Sequence, residues 1–441
     1  MKAMASKMKN TYKITEYGSF VADNADNADN ADKQIKEFVS LPKHTFDALE
    51  SFVLTNRSKE TDALEFFGLS AKKGIGKVIT AKNYVGVITM VDGTTIEILP
   101  KVFSNETYTE ASVKKLLIDM LKSLKDSPYK SLQTSNVNIE KMSIFEVFIR
   151  MFVDEVLFIE KRGLKSGYQR IQNNEAVFKG KLRISDHIKY NFAHKERSFV
   201  EYDEFNTDRP ENRLIKTTLL YLYRVSQSSK NRVDIKNLLN SFSEVSESTD
   251  ITRDFEKYVP DRNMKDYTTA LMWCKVFLLG KSFSAFSGSE VAFALLFPME
   301  TLFESYIAQK LRKYLNSKEY TVSAQYRSFH LFDYPRQFLM KPDIVVKRKR
   351  DGAVFVLDTK WKLLSQAKAN YGISQADMYQ MYAYQKKYGA KSITLIYPST
   401  DVLTKEKEIR FLSNDGVTVF VKFVDLFNLN DSMTILEESF I

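Results

Sequence analysis

Cysteine is almost missing from this sequence. A single Cys274 and four scattered histidines are all it offers in 441 residues. One cysteine excludes a disulfide framework and points to a reducing compartment. That cysteine and four dispersed histidines cannot build a tetrahedral zinc site or an iron–sulfur cluster. Cys274 lies in the apolar run MWCKVFLLG, which reads as buried helix filler. Long hydrophobic runs are also lacking. The longest, around Val291–Phe297, is too short to span a bilayer, and MKAMASKMKN has no apolar segment behind its charges to make a signal peptide. The expectation is a soluble cytoplasmic protein with no membrane contact. A phosphate loop is absent as well. Gly74-Ile75-Gly76-Lys77 lacks the required spacing and no clear helix follows, so it reads as a glycine-rich turn.

What is present suits a multidomain protein. The length exceeds what one hydrophobic core usually serves, and 44% hydrophobic residues with 13% aromatics are ample for packed cores. A net charge of +10 suits a polyanionic partner without identifying it. Residues 1–34 carry the repeat ADNADNADNAD and read as a disordered polar tail. Residues 35–108 alternate in short strands, with VGVITMV and TTIEILP flanking the hairpin pair Asp92-Gly93. Residues 109–285 turn mainly helical. SVKKLLIDMLKSLK, SIFEVFIRMFVDEVLFIEKRG and NRLIKTTLLYLYRV place apolar residues at i, i+3, i+4 and i+7, with Asn212 as N-cap of the last. A basic stretch from Lys161 to Arg197 could follow a DNA backbone, dock on an acidic partner or simply face solvent. The charged block Glu201–Lys216 reads as an ion-paired loop before a helix. Residues 286–441 read as an α/β domain, a mixed sheet flanked by helices.

The chemistry gathers in that last domain. FLMKPDIVVKRKRDGAVFVLDTKWK is an alternating hairpin around Asp351-Gly352. With those two residues as the loop, Asp343 lies opposite Lys360, and Asp358 falls on the same face two residues further on. A longer loop would shift that facing. Two carboxylates and one ammonium on one patch suit metal-assisted phosphodiester hydrolysis. Carboxylate oxygens, waters and substrate phosphate are what Mg²⁺ accepts, and Lys360 would position the attacking water. Asp234-Ile235-Lys236 has the same acid-x-Lys form and reads as a solvated helix face. What distinguishes the later set is Pro-Asp opening one strand, a tight turn, and Asp-Thr-Lys closing the next. The competing reading is an edge hairpin with exposed charges.

Pro342-Asp343 and Asp358-Thr359-Lys360 resemble the two elements of the PD-(D/E)xK nuclease superfamily. Within it the chain resembles the McrC family, the nuclease subunit of McrBC-type restriction systems. Further stretches carry the likeness: GVITMVDGTTIEILPK, FKGKLRISDHI, EYDEFNTDRPENRLIK and LLFPMETLFESYI. The superfamily more often has Glu where Asp358 stands. The resemblance implies a PD-(D/E)xK endonuclease domain, a Mg²⁺ cofactor with Mn²⁺ as an expected substitute, and DNA as substrate. It implies metal ligation by Asp343, Asp358 and the Thr359 carbonyl, with catalytic roles for Lys360, Glu304 (Glu300 as fallback) and Gln380. Lys341, Lys362 and Tyr384 are the expected DNA contacts, while Tyr379 and Tyr382 read as core. It also implies an McrB-like AAA+ GTPase ring as partner, engaged by the N-terminal and helical parts. The rival expectation is a regulatory activator of that motor with an inert nuclease fold.

Overall fold

The computed structural model describes residues 11–23, 38–55, 65–90, 92–102, 109–124, 128, 142–258, 262–279, 291–399 and 409–440. The chain divides into two compact units, one of residues 1–144 with 283–441, the other of residues 145–282.

The first unit begins with β1 (Thr11–Thr15), β2 (Ser19–Ala22), β3 (Phe38–Leu41), α1 (Lys43–Thr55), β4 (Phe67–Lys72), β5 (Gly76–Ala81), β6 (Tyr84–Met90), β7 (Thr95–Leu99) and α2 (Glu110–Ser123). Residues 11–22 are therefore not the tail that composition suggests. Ile14, Phe20 and Val21 are buried apolar positions that pay for ordering the segment. All but the first two residues of the ADN repeat lie outside the described residues. Gly74 sits in the turn joining β4 and β5 and Gly76 opens β5, both at positive φ, as a glycine-rich turn requires. The sheets run β3-β2-β5-β4 and β1-β7-β6-β11, where β11 (Val291–Pro298) returns from the far end of the chain. Gly86 permits that return. Its φ is +141°, and a Cβ there would overlap the Leu295 carbonyl of β11.

The same unit continues through α9 (Met299–Tyr314), β12 (Tyr320–Ala324), β13 (His330–Phe332), β14 (Gln337–Leu339), β15 (Ile344–Arg348), β16 (Val354–Thr359), α10 (Gln375–Tyr388), β17 (Ser392–Pro398), β18 (Ile409–Leu412), β19 (Thr418–Val424) and α11 (Leu429–Glu437). Six strands form one mixed sheet in the order β12-β15-β16-β17-β19-β18, with β16, β17 and β19 parallel. Strands buried on both faces read as continuous apolar runs, and SITLIYP is buried throughout. On one face Val345, Val356, Ile393 and Leu395 pack with Met381, Tyr384 and Tyr388 of α10. Ser374 caps α10, accepting from the Asp377 N–H at 3.1 Å, and Gly389 ends it in the left-handed conformation.

The second unit holds α3 (Ile144–Arg162, entering from the first unit), β8 (Gly167–Glu175), β9 (Lys181–Leu182), α4 (Ile184–Asn191), β10 (Ser198–Asn206), α5 (Pro210–Val225), α6 (Ser229–Ser241), α7 (Ile251–Lys257) and α8 (Thr268–Leu279). The expectation of a mainly helical region misses the β8-β10-β9 sheet. Its strands are largely polar, so helical periodicity on either side masks them. Asn212 does not cap α5. Pro210 occupies the first turn, and the Asn212 amide donates to the Thr207 carbonyl at 2.7 Å and the Lys165 carbonyl at 3.0 Å. Ion pairing in the block from Glu201 is as expected, with Asp208 on Arg213 and Arg209 on Glu211. Asp234 is not merely solvated, because it pairs with the buried Arg150 at 2.5 Å. Cys274 is fully buried, and that burial pushes its thiol up to about 12. Among the described residues no helix is long and apolar enough to cross a membrane.

Candidate active site

The β15–β16 connection is longer than two residues, and this changes which side chains meet. Ile344 pairs with Leu357 and Lys347 with Val354, so continuing the register sets Asp343 opposite Asp358 rather than Lys360. Arg348 N–H donates to the Ala353 carbonyl, and Gly352 takes a φ of +73° inside the widened turn. A two-residue slip preserves the face, because strand side chains alternate with period 2. Both acids and the lysine still converge.

Asp343 Oδ2 accepts the Thr359 N–H and the Thr359 hydroxyl, each at 2.7 Å. Lys360 Nζ stands 2.7 Å from Asp358 Oδ2, 3.5 Å from Asp377 Oδ1 and 3.5 Å from Gln380 Oε1. Its own N–H donates to the Ile396 carbonyl at 2.9 Å, fixing the end of β16 against β17. Glu304 approaches from α9 and is hydrogen-bonded by the Gln325 side chain. Gln325 follows β12 with φ +50° and donates its N–H to the Asp343 carbonyl at 2.7 Å. A non-glycine residue is uncommon in that left-handed conformation, and here its N–H is tied to the strand that carries Asp343.

Negative charge crowds this patch. Burial, then the neighbouring Asp343 charge, pushes Asp358 up to about 7, with Lys360 pulling the other way. Glu304 also rises to about 7 through burial and then Asp343, opposed by the Gln325 hydrogen bond. Burial raises Asp343 despite the two Thr359 hydrogen bonds. For Lys360 burial alone would lower the pKa, but Asp358 and Asp377 outweigh it and the net shift is upward. The lysine is an ammonium at neutral pH, and the acids compete for too little positive charge.

The donor set fits a hard divalent cation on one observation in particular. Asp358 Oδ2 is buried and accepts no well-aligned hydrogen bond, although Lys360 pairs with it electrostatically. Among the described residues no group of three or more His, Cys, Asp or Glu side chains could hold an ion by itself.

The other expected residues are placed as follows. Gln380 is exposed beside Lys360, and its amide donates to the Tyr384 hydroxyl at 2.8 Å. Tyr384 itself is buried, so it supports Gln380 from beneath rather than presenting its ring to a polymer. Tyr379 and Tyr382 are exposed, contrary to the expectation of core. The buried face of α10 is Met381, Tyr384 and Tyr388, and the helical period leaves those two tyrosines off it. Lys341 and Lys362 are exposed, and Lys362 donates to the Gly372 carbonyl at 2.6 Å. Glu300 accepts from Asn83, away from the paired acids. Gln325 and Asp377 escaped sequence reasoning. Asp377 could have been found as the third residue after the Ser374 cap; nothing in the sequence announces Gln325.

Comparison with known proteins adds a family and a fold. The family model described as McrBC 5-methylcytosine restriction system component matches residues 79–398. A chain of the solved half-complex from the tetradecameric assembly of Thermococcus gammatolerans McrB AAA+ hexamers with bound McrC is 20% identical. That alignment covers 98% of this chain and 100% of that one, with a TM-score of 0.67. A second Thermococcus gammatolerans McrBC complex aligns over 70% of this chain and 89% of that chain, at 21% identity and TM-score 0.43. No curated protein gives a significant match.

Proposed function

The chain belongs to the McrBC 5-methylcytosine restriction system component family, and on that premise we propose that it is the DNA endonuclease subunit of an McrBC-like restriction system. In this reading it cuts DNA with Mg²⁺ and together with an AAA+ GTPase motor, whose NTP hydrolysis it stimulates. The observation that carries the reading is the convergence of Asp343, Asp358 and Lys360 at the ends of β15 and β16, with Glu304 and Gln380 alongside. An electrostatic patch that holds buried acids near pH 7 has an obvious use for a divalent cation.

Asp343 and Asp358 would hold the ion, with the Thr359 carbonyl as a further ligand. A bound Mg²⁺ supplies charge stabilisation at the phosphoryl oxygens and acidifies a coordinated water. The Thr359 N–H and hydroxyl keep Asp343 oriented toward the site. Lys360, held by Asp358 and Asp377, orients the water and balances charge on the phosphorane. Gln380 supports Lys360 from α10, and the exposed Lys341 and Lys362 flank the path of the DNA backbone.

For the partner, the support is twofold. The relative of similar fold is recorded with McrB AAA+ hexamers. The second unit exposes Tyr168, Phe178, Ile184, Ile188, Phe192 and Phe205, apolar side chains that a partner surface would cover. The chain would act in the cytoplasm, where DNA and GTP are available.

The test is co-purification with an McrB-like AAA+ protein, followed by nucleotide-dependent cleavage of modified and unmodified DNA. Cutting that needs both proteins and NTP supports the proposal. Cutting by this chain alone would indicate a standalone nuclease. Stimulated NTP hydrolysis without any cutting would indicate a regulatory subunit.

A further inference from the structure

Residues just after β1, β7 and β16, and at the ends of β17 and β19, line a pocket of about 240 Å³. One water needs about 10–15 Å³ by a comparable measure, so the space is sized for an organic group. Glu16, Tyr17, Trp361, Ser399, Leu426 and Phe427 are among its walls, making it mainly apolar and aromatic.

Glu16 is fully buried at this pocket. Its Oε1 accepts the Trp361 indole N–H at 2.8 Å and the Lys101 backbone N–H at 2.9 Å. Its Oε2 is equally buried and accepts nothing. Buried carboxylate oxygens are almost always satisfied, so an unpartnered one lining a cavity points to a missing donor. Tyr17, the next residue, is held at φ +62°, a conformation a tyrosine adopts only when its surroundings enforce it. Lys101 and Lys362 line it too, Lys362 with its ammonium on the Gly372 carbonyl and Lys101 with its charge acting on Glu16, and Asp425, whose Oδ1 accepts the Phe427 N–H at 2.8 Å, is a second carboxylate among the walls.

We propose that this pocket binds a small organic cation with an apolar body, an amidinium or protonated amine, whose N–H donates to Glu16 Oε2. The aromatic walls cover the body and favour positive charge, because ring faces attract cations. Burial raises the Glu16 pKa to about 7, so above that pH Glu16 supplies the counter-charge and the hydrogen bond that fixes orientation. The same carboxylate holds the Trp361 indole, so occupancy changes the environment of one of only two tryptophans in the chain. Asp343, Asp358 and Lys360 are not among the walls, and binding there does not depend on the nuclease reading.

The test uses the full chain in EDTA with benzamidine as probe and benzoate as the control of matching shape and opposite charge. Binding is followed by calorimetry and by tryptophan emission. Benzamidine should bind at millimolar concentration or tighter, and benzoate at least ~10-fold more weakly. Glu16→Gln and Ser399→Phe should each weaken benzamidine by at least ~10-fold. Ser399→Phe fills the space without touching the acid, and it decides the matter if Glu16→Gln fails to fold. Equal binding of benzoate, unchanged binding in folded Ser399→Phe, or no benzamidine binding by the wild-type chain would overturn the proposal.

Discussion

Replacing Asp358 by Asn should make the metal-free protein gain stability, relative to wild type, as pH rises. Folding moves this carboxyl from about 3.8 to about 7, through burial and the adjacent Asp343 charge. A carboxyl whose folded pKa is raised contributes its full stability below the unfolded value and loses it as pH climbs through the folded one. Between pH 5.5 and 8 that loss grows by about 1.4 kcal/mol per unit up to about pH 7, or about 2 kcal/mol in all. Asn carries no such penalty. Breaking the 2.7 Å pair with Lys360 also costs stability. The pull of Lys360 is already contained in that folded pKa, and the ammonium stays charged at both pH values, so the pH dependence is that of the Asp358 carboxyl. Urea unfolding in EDTA at each pH gives the difference directly. Mg²⁺ at pH 8 should stabilise wild type by mass action and leave Asp358→Asn unmoved. A stability difference between variant and wild type that is the same at pH 5.5 and 8 would refute the electrostatic account of this site.

Other expectations follow from neighbouring residues. Gln325→Gly relieves the backbone at φ +50°, so stability should change by no more than about 1 kcal/mol, while cleavage falls about 10-fold as Glu304 loses its hydrogen bond; a denaturant melt and a cleavage time course separate the two effects. Tyr384→Phe removes the hydroxyl that accepts from Gln380 at 2.8 Å and should cost about 1 kcal/mol of stability with a several-fold drop in kcat; an unchanged kcat would show that Gln380 needs no such support. Glu146 is buried and accepts from Ser226, Ser228 and Asn231, so Glu146→Ala should destabilise the 145–282 unit by about 3 kcal/mol, read as a lower urea midpoint.

How much of this was legible in the sequence depends on whether the signal was local. Asp343, Asp358 and Lys360 could be placed on one face because alternation along a strand is a property of the chain itself. Their exact partners could not, since the loop around Gly352 sets the register and its length is not encoded by Asp-Gly alone. α2, α3 and α5 were visible in apolar periodicity, but the β8–β10 strands have polar sequences and exist through pairing with each other. β11 was read as part of the last domain because it precedes α9, yet it pairs with β6 across some two hundred residues of chain. Gln325 depends on a backbone conformation imposed by tertiary contacts, which no residue pattern reports. The family match spans residues 79–398 and so includes the site, but it assigns no side-chain role.

The most direct test is Asp343→Asn in the assembled complex, with DNA cleavage and partner NTP hydrolysis measured on the same preparation in Mg²⁺. The account predicts that cleavage falls by at least ~100-fold while NTP hydrolysis stays at the wild-type rate. Cleavage persisting at the wild-type rate would contradict it.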